Sequence, residues 1–229
     1  METKIFSINQ AERVERGEYT DFLDPTELNL VKSILNKKHI KYNVYMPFED
    51  SEKSIIYSSY PNVSLIEIIS DNKLNHKDIL GSLFSHNINI SKYGDIVITD
   101  KYYLPILDSI KPYILSNFNK IGNNIVKVKE VDIDIIKDYK YEYEEKELIV
   151  SSLRIDNIVS VITNSSRNSV DMMFKNKYIF INYISDHKKT YMVKENDIIG
   201  IRKNGKYKFI EVMKTTNKNK YIIKLLKYK

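Results

Sequence analysis

Five arginines stand among 31 lysines in this chain of 229 residues. A lysine ammonium is a point charge, whereas the planar guanidinium fork grips a phosphate through two parallel hydrogen bonds. In a chain that uses lysine by default, each arginine marks a place where the fork matters. Three of the five, Arg154, Arg167 and Arg202, fall in the last third. Arg154 and Arg167 belong to the stretch from Ser151 to Tyr183, SSLRIDNIVSVITNSSRNSVDMMFKNKYIFINY. Ile155, Ile158, Val159 and Ile162 recur at i, i+3, i+4 and i+7, the apolar face of a first helix, with Ser151 or Ser152 as its N-cap. Thr163 to Ser165 break the pattern. Ser166 then caps a second helix, on which Val170, Met173 and Phe174 repeat the spacing. After Asn176 the period changes to two, with Ile179 and Ile181 on one side of a strand and Tyr178, Phe180 and Asn182 on the other. Off the apolar faces lie Arg154, Arg167, Asn168, Lys175 and Lys177. The helix pair buries one side and turns a cationic, amide-bearing side toward an anion. The competing account is local: Arg154 and Arg167 serve only as ion-pair partners of Asp156 and Asp171.

Downstream, Asp197 to Ile201 reads as a strand that ends in a basic turn, Arg202-Lys203-Asn204-Gly205-Lys206. Phe209 to Lys214 and Tyr221 to Leu226 form a hairpin around Asn217–Asn219. Arg202, Lys203, Lys206 and Lys208 add to the charge of Arg167 and Lys175 if the fold gathers them; the plainer reading is an exposed loop that is basic by composition. From residue 151 onward, 17 Lys and Arg face 6 Asp and Glu, a net +11, against a net −5 in the first 150 residues. A compositional excess of lysine would be even, so the clustering is the electrostatic footprint of a polyanion partner.

Several chemistries lack their residues. There is no cysteine, hence no disulfide framework and no thiolate metal site. The six glycines never come closer than five apart, so neither a dinucleotide fingerprint nor a Walker loop can be written. The four histidines are scattered. His76 and Asp78 stand two apart, which points them to different faces of a helix, and a helix cap around Asn75 accounts for them without chemistry. Glu144 and Glu145 lie in a charged, solvated run. No secretory leader and no membrane span is predicted.

The elements that must carry the basic module come from the rest of the chain. Residues 5 to 18 are predicted helical, with Arg13 and Arg16. Asp24-Pro25 with Glu27 starts a helix with Leu28, Val31, Ile34 and Leu35 inward. Short strands follow at Tyr42–Met46 and Ile55–Tyr57. Then come a buried strand in VSLIEIIS, a helix from His76 to His86 carrying Ile79, Leu80, Leu83 and Phe84, strands at Asp95–Thr99 and Tyr102–Leu104, a helix from Pro105 to Phe118, and a strand from Ile125 to Val131. This β-α-β-β-α-β order is the split unit of ferredoxin-like folds, which RNA-recognition modules share. Taken as a central strand, Asp95-Ile96-Val97-Ile98 carries none of the aromatics such modules use. Residues 132–149 read as a last edge element and linker. The fold class expected is α+β: an N-terminal α/β segment over 1–62, a ferredoxin-like RNA-binding domain over 63–149, and a small RNA-binding domain of two helices on a sheet over 150–229.

Two resemblances sharpen this. LRIDNIV, SSRNSV, FKNKYIFIN and ENDIIGIRKNGKYKFIEV are similar to the small RNA-binding domain named after ribosomal small-subunit protein four. That resemblance puts Arg154, Ser166 and Arg167 on the RNA face, and with them Asn168, Lys175, Lys177, Asn182, Arg202, Lys203, Lys206 and Lys208 are the candidate RNA contacts. It also implies a glycine ahead of the strand; here that position is Lys177, and Asn176 is the residue expected to supply the left-handed backbone. TDFLDPTE, HKDILGSLFSHNINISKYGDI and KIGNN, in this order ahead of VSSLRID, resemble the bacterial YlmH family over roughly residues 20 to 229. The resemblance makes His76, Lys77 and Asp78 candidate contacts of the first domain. The glycine-rich, arginine-containing segment of that family reads MPFEDSEKSIIYSSY here, without Gly or Arg. Without a leader or span a cytoplasmic protein is the default, and the expectation is a monomeric, non-enzymatic RNA-binding protein without cofactor or metal. The partners that the family implies are rRNA of the large ribosomal subunit and peptidyl-tRNA, and a tailing factor of ribosome-associated quality control. Two other classes stay open: an RNA-modifying enzyme (a pseudouridine synthase or methyltransferase) that uses the C-terminal domain for targeting, and a protein–protein adaptor whose basic face is incidental.

Overall fold

The computed structural model of the protein describes residues 2–185 and 187–229. The chain divides into two compact units, one ending at Lys140 and one running from Tyr141 to Lys229. In the first, α1 (Glu2–Glu15) and α2 (Pro25–Lys37) enclose a core with Ala11, Val14, Leu23, Val31, Leu35 and Ile56. α2 starts where the sequence places it: Asp24 Oδ1 accepts from the Glu27 N–H, and Glu27 accepts in return from the Asp24 N–H. β1 (Asn43–Tyr45) and β2 (Ile55–Tyr57) form an antiparallel pair beside these helices.

The remainder of this unit is built on five antiparallel strands. In chain order the elements are β3 (Val63–Ser70), α3 (His76–Ser85), β4 (Val97–Ile98), β5 (Tyr102–Leu107), α4 (Lys111–Asn117), β6 (Lys120–Ile121) and β7 (Asn124–Val131). The spatial order is β4-β5-β3-β7-β6. Ile66 and Ile68 of β3, Leu104 and Ile106 of β5 and Val126 of β7 meet Ile79 and Leu83 of α3 and Ile114 of α4, so both helices cover one face.

Three expectations change here. Pro105 is a strand residue opposite Leu65, and the fourth helix begins only at Lys111, after a 3-10 turn at Asp108–Ile110. The ladder tolerates this proline because the Pro105 carbonyl accepts from Gly94, away from β3. The missing N–H therefore falls on the side where β4 has already ended. The central strands are β3 and β5, not the 95–98 segment, which is the edge. Finally, Phe84 is not a core residue of α3 but 83% exposed.

The second unit holds β8 (Tyr143–Val150), α5 (Ile155–Thr163), α6 (Arg167–Lys175), β9 (Ile179–Ile181), β10 (Ile198–Ile201), β11 (Gly205–Thr215) and β12 (Tyr221–Tyr228), with spatial order β8-β12-β11-β10-β9. The boundary at 150 moves to Tyr141, because β8 pairs along its whole length with β12 and is no linker. That strand brings in glutamates, so the unit carries 18 Lys and Arg against 10 Asp and Glu, a smaller excess than the tail from 151 alone. Ile155, Ile158 and Val159 of α5 and Val170 of α6 sink into a core with Ile179, Ile181, Ile199, Phe209, Ile223 and Leu225. Each such side chain contributes about 1.5–3 kcal/mol by leaving water, and truncating Ile158 to Ala would cost about 2–5 kcal/mol. Among the described residues no helix is long and apolar enough to cross a membrane.

Candidate nucleic-acid interface

Ser166 opens α6 with φ −66° and ψ 159°, and its Oγ accepts the Ser169 N–H at 3.3 Å. The first two helical N–H groups, of Arg167 and Asn168, have no intrahelical acceptor and make the helix start receptive to an anion. Arg167 and Asn168 are exposed at this point. Asp171, the residue expected to pair with Arg167 in the local account, instead takes Lys189 Nζ at 2.9 Å. Among the described residues Arg167 has no ion-pair partner.

α5 begins one step later than the serines suggest. Arg154 occupies the N-cap position, with φ −65° and ψ 139°, and its side chain does not cap. Ser152 Oγ accepts from the Arg154 N–H, and Asn157 Oδ1 reaches back to the Ser151 and Ser152 N–H groups. Ser151 and Ser152 are thus part of the approach to the helix, not its cap. The Arg154 fork is held by Asp156 in a two-point pair, Nε–Oδ1 at 3.2 Å and Nη2–Oδ2 at 2.6 Å. The pair expected between Arg154 and Asp156 is formed; the one expected between Arg167 and Asp171 is not.

These groups line a groove of about 380 Å³ that includes Ser152, Arg154, Asp156, Asn157, Arg167, Asp171 and Lys189. Lys189 is the member that sequence reasoning missed. It lies in a loop without periodicity, and only the fold ties that loop to α5: the Ile155 N–H donates to the Tyr191 carbonyl, the Asp156 N–H to that of Lys189, and Arg154 bridges Met192.

The other predicted cations do not gather at this groove. Lys175 lies in the last turn of α6, roughly 12 Å along the axis from Arg167 at 1.5 Å per residue. Lys177 itself, not Asn176, adopts the left-handed conformation, with φ 54°. Its N–H bonds to the Phe174 carbonyl and that of Tyr178 to Met173, a Schellman closure of the helix. Arg202 stacks over the Tyr178 ring at 5.1 Å and donates its N–H to the Tyr178 carbonyl, so it belongs to the far end of α6 with Lys175. Lys203, with φ 70°, forms the turn beside it. Lys206 and Lys208 alternate with the buried Tyr207 and Phe209, which places them on the sheet face away from the helices; Lys206 Nζ lies 4.0 Å over the Tyr228 ring. Asn182 is engaged at both ends of its amide, donating to Asp197 Oδ1 and accepting from the Ile198 N–H. In the first unit, Asp78 accepts the Asn75 N–H at the start of α3, a capping contact, while His76 and Lys77 are exposed there.

An α+β chain with a cationic helix-pair groove is the class this geometry defines, and residues 61–135 match a family described as "Putative RNA-binding domain in YlmH". The chain is 23% identical over 219 residues to the ribosome-associated protein quality control protein P2 of Bacillus subtilis (strain 168), covering 90% of this chain and 85% of that protein. A solved structure named cell division protein ylmH from Streptococcus pneumoniae superposes with a TM-score of 0.49 at 19% identity, covering 60% of this chain and 96% of that one. The match over residues 61–135 and the Bacillus relative bear out the resemblance to the bacterial YlmH family.

Proposed function

We propose that this protein is a non-enzymatic RNA-binding factor of ribosome-associated quality control. It engages rRNA and peptidyl-tRNA on the large ribosomal subunit and lays the groove between α5 and α6 on the sugar–phosphate backbone. The observation that carries this is the start of α6, where an exposed arginine with no acidic partner among the described residues coincides with two backbone N–H groups that have no intrahelical acceptor. A phosphate there can take the guanidinium fork and the helix N-terminus together. Arg154 and Lys189 flank the same strip. The strand order of the first unit supports a ferredoxin-like reading of residues 63–131, and the two helices on a five-stranded sheet support the small RNA-binding domain reading of the second. The name of the Bacillus relative is the support for quality control as the setting.

The test is co-sedimentation of the full chain with large-subunit particles carrying peptidyl-tRNA. Arg167→Ala should weaken pelleting roughly tenfold or more with an unchanged melting temperature, since a charge-assisted contact is worth about 1.5–3 kcal/mol. Arg167→Lys should rescue only in part, because it keeps the charge and loses the fork. A variant that pellets like wild type overturns this reading. Loss of an rRNA modification in a deletion strain would favour an RNA-modifying enzyme instead.

A further inference from the structure

β7 reads NIVKVKEV, and strand alternation divides it by face. Val126 and Val128 join the core under α3 and α4. Ile125, Lys127 and Lys129 turn to the side without helices. Register sets Lys129 opposite Glu67 and Lys127 opposite Ile69 of β3, and sets Tyr103 of β5 opposite Glu67 on its other flank. Lys120, opposite Ile125, joins the same face. Part of this face is closed: Phe22 packs with Leu107 and Val63, and its ring lies 3.0 Å from where a Cβ on Gly94 would stand. The other part is open and carries Lys101, Lys120, Lys127 and Lys129, all exposed.

Glu67 sits in the middle of these cations with only 7% of its side chain exposed. Its two oxygens take Lys101 Nζ at 3.2 Å and Lys129 Nζ at 3.1 Å. Burial alone would raise this carboxyl, but the hydrogen bonds from Lys129 and Lys101 outweigh it and hold the group below the ordinary range. The carboxylate therefore stays ionised at neutral pH and keeps two ammonium groups spaced across three strands. Among the described residues Lys127 has no ion pair.

We propose that this open face is a second, separate contact for an RNA sugar–phosphate backbone, made by Lys101, Lys127 and Lys129 with Lys120 at the rim. It shares with the helix groove only the class of partner. Four ammonium groups against one carboxylate leave the face cationic within a unit whose other charges are net acidic. Its mode is charge, not base stacking, because Tyr103, the aromatic on the open side of a central strand, is 7% exposed and cannot offer its ring. An acidic peptide fits less well. Strand addition needs a free sheet edge, whereas β3 and β5 are interior strands.

The experiment uses the full chain with poly(U) RNA as probe, between about 50 and 200 mM salt, where phosphate contacts dominate. Lys127→Glu touches no ion pair and should leave the melting temperature unchanged. It should weaken poly(U) binding several-fold and flatten the slope of log affinity on log salt by about 0.7–0.9, the share of one neutralised phosphate. Lys101→Ala, Lys127→Ala and Lys129→Ala together should flatten it by roughly two to three. Unchanged affinity and slope in Lys127→Glu overturns the proposal. So does polyglutamate that binds wild type as tightly as poly(U) and is weakened equally by this variant. Arg167→Ala measured in parallel separates the two readings: weaker binding there with no change in Lys127→Glu sinks the sheet-face contact alone, and the reverse sinks the helix-groove contact alone.

Discussion

Arg13 and Arg167 are the same residue put to opposite uses in the two units. In the first unit, Arg13 Nη1 meets Asp21 Oδ1 at 2.8 Å, and Lys92 Nζ and Ser91 Oγ complete the shell of that buried carboxylate. In the second, Asp171 stands one turn from Arg167 yet is taken by Lys189, and the guanidinium is left at a helix start. Sequence spacing treats both as arginines near an aspartate. What separates them is burial, since a carboxylate out of water draws every donor in reach, while an exposed one at i+4 is worth little. An arginine consumed by a buried acid is a stability residue, and one without an acid is available to a ligand.

The largest effect that sharpens this contrast lies at Asp21. Burial would raise its carboxyl, but hydrogen bonds from Lys92, Arg13 and Ser91 hold it below the ordinary value of 3.8. A depressed carboxyl contributes stability that is fully present above its unfolded value and is lost as pH falls through the folded one. Asp21→Asn should therefore destabilise the first unit by about 3 kcal/mol at neutral pH, and the gap to wild type should close below about pH 4. Denaturant melts at both pH values check this, and RNA binding per folded molecule should not move.

Next comes the arginine pair of the groove itself. Arg167→Ala should cost about 1.5–3 kcal/mol of binding. Arg154→Ala should cost less, because Asp156 already occupies its fork and a phosphate must share or displace that acid. Asp156→Asn is then expected to tighten RNA binding about threefold, within the range of about 0.2–1 kcal/mol for a partly exposed pair. Fluorescence anisotropy on the three variants ranks them, and an Arg154→Ala effect larger than that of Arg167→Ala would break the contrast.

The helices of the second unit were legible because their apolar residues recur at 3.6 spacing and Ser166 is an unambiguous cap. The start of α5 was not. Polar residues precede Ile155, and the choice of Arg154 as N-cap depends on Ser152 and Asn157 binding the backbone ahead of it. The site divided for a similar reason. Net charge along the chain placed the cations in the tail, but faces are set by register, and alternation put Lys206 and Lys208 on the sheet side opposite the helix groove. The same blindness hid the lysines of β7 in a stretch whose total charge is negative. Pro105 misled the reading of β5 outright. Proline usually ends strands, and only the early end of β4 makes room for it.

The smallest effect concerns Lys177, where local backbone and ligand chemistry compete. Its φ of 54° at the end of α6 places a Cβ against the following carbonyl, a conformation that costs a non-glycine residue roughly 1–2 kcal/mol. The Schellman bonds from Lys177 to Phe174 and from Tyr178 to Met173 hold it there. Glycine removes the clash but widens the unfolded ensemble, so the net gain of Lys177→Gly should be about 0.5–1 kcal/mol. For a unit of this size that is a rise of a few degrees in the melting temperature. If Lys177 also touches phosphate, the same change must flatten the salt dependence of RNA binding by about 0.7–0.9. Lys177→Asn keeps a residue tolerant of this backbone while removing the charge, so it isolates the electrostatic part. A melt that rises in Lys177→Gly with an unchanged salt slope in both variants would make Lys177 a strained structural residue. It would leave the far end of α6 to Lys175 and Arg202. A flattened slope in both would extend the RNA-binding strip along the helix from Arg167 to its end.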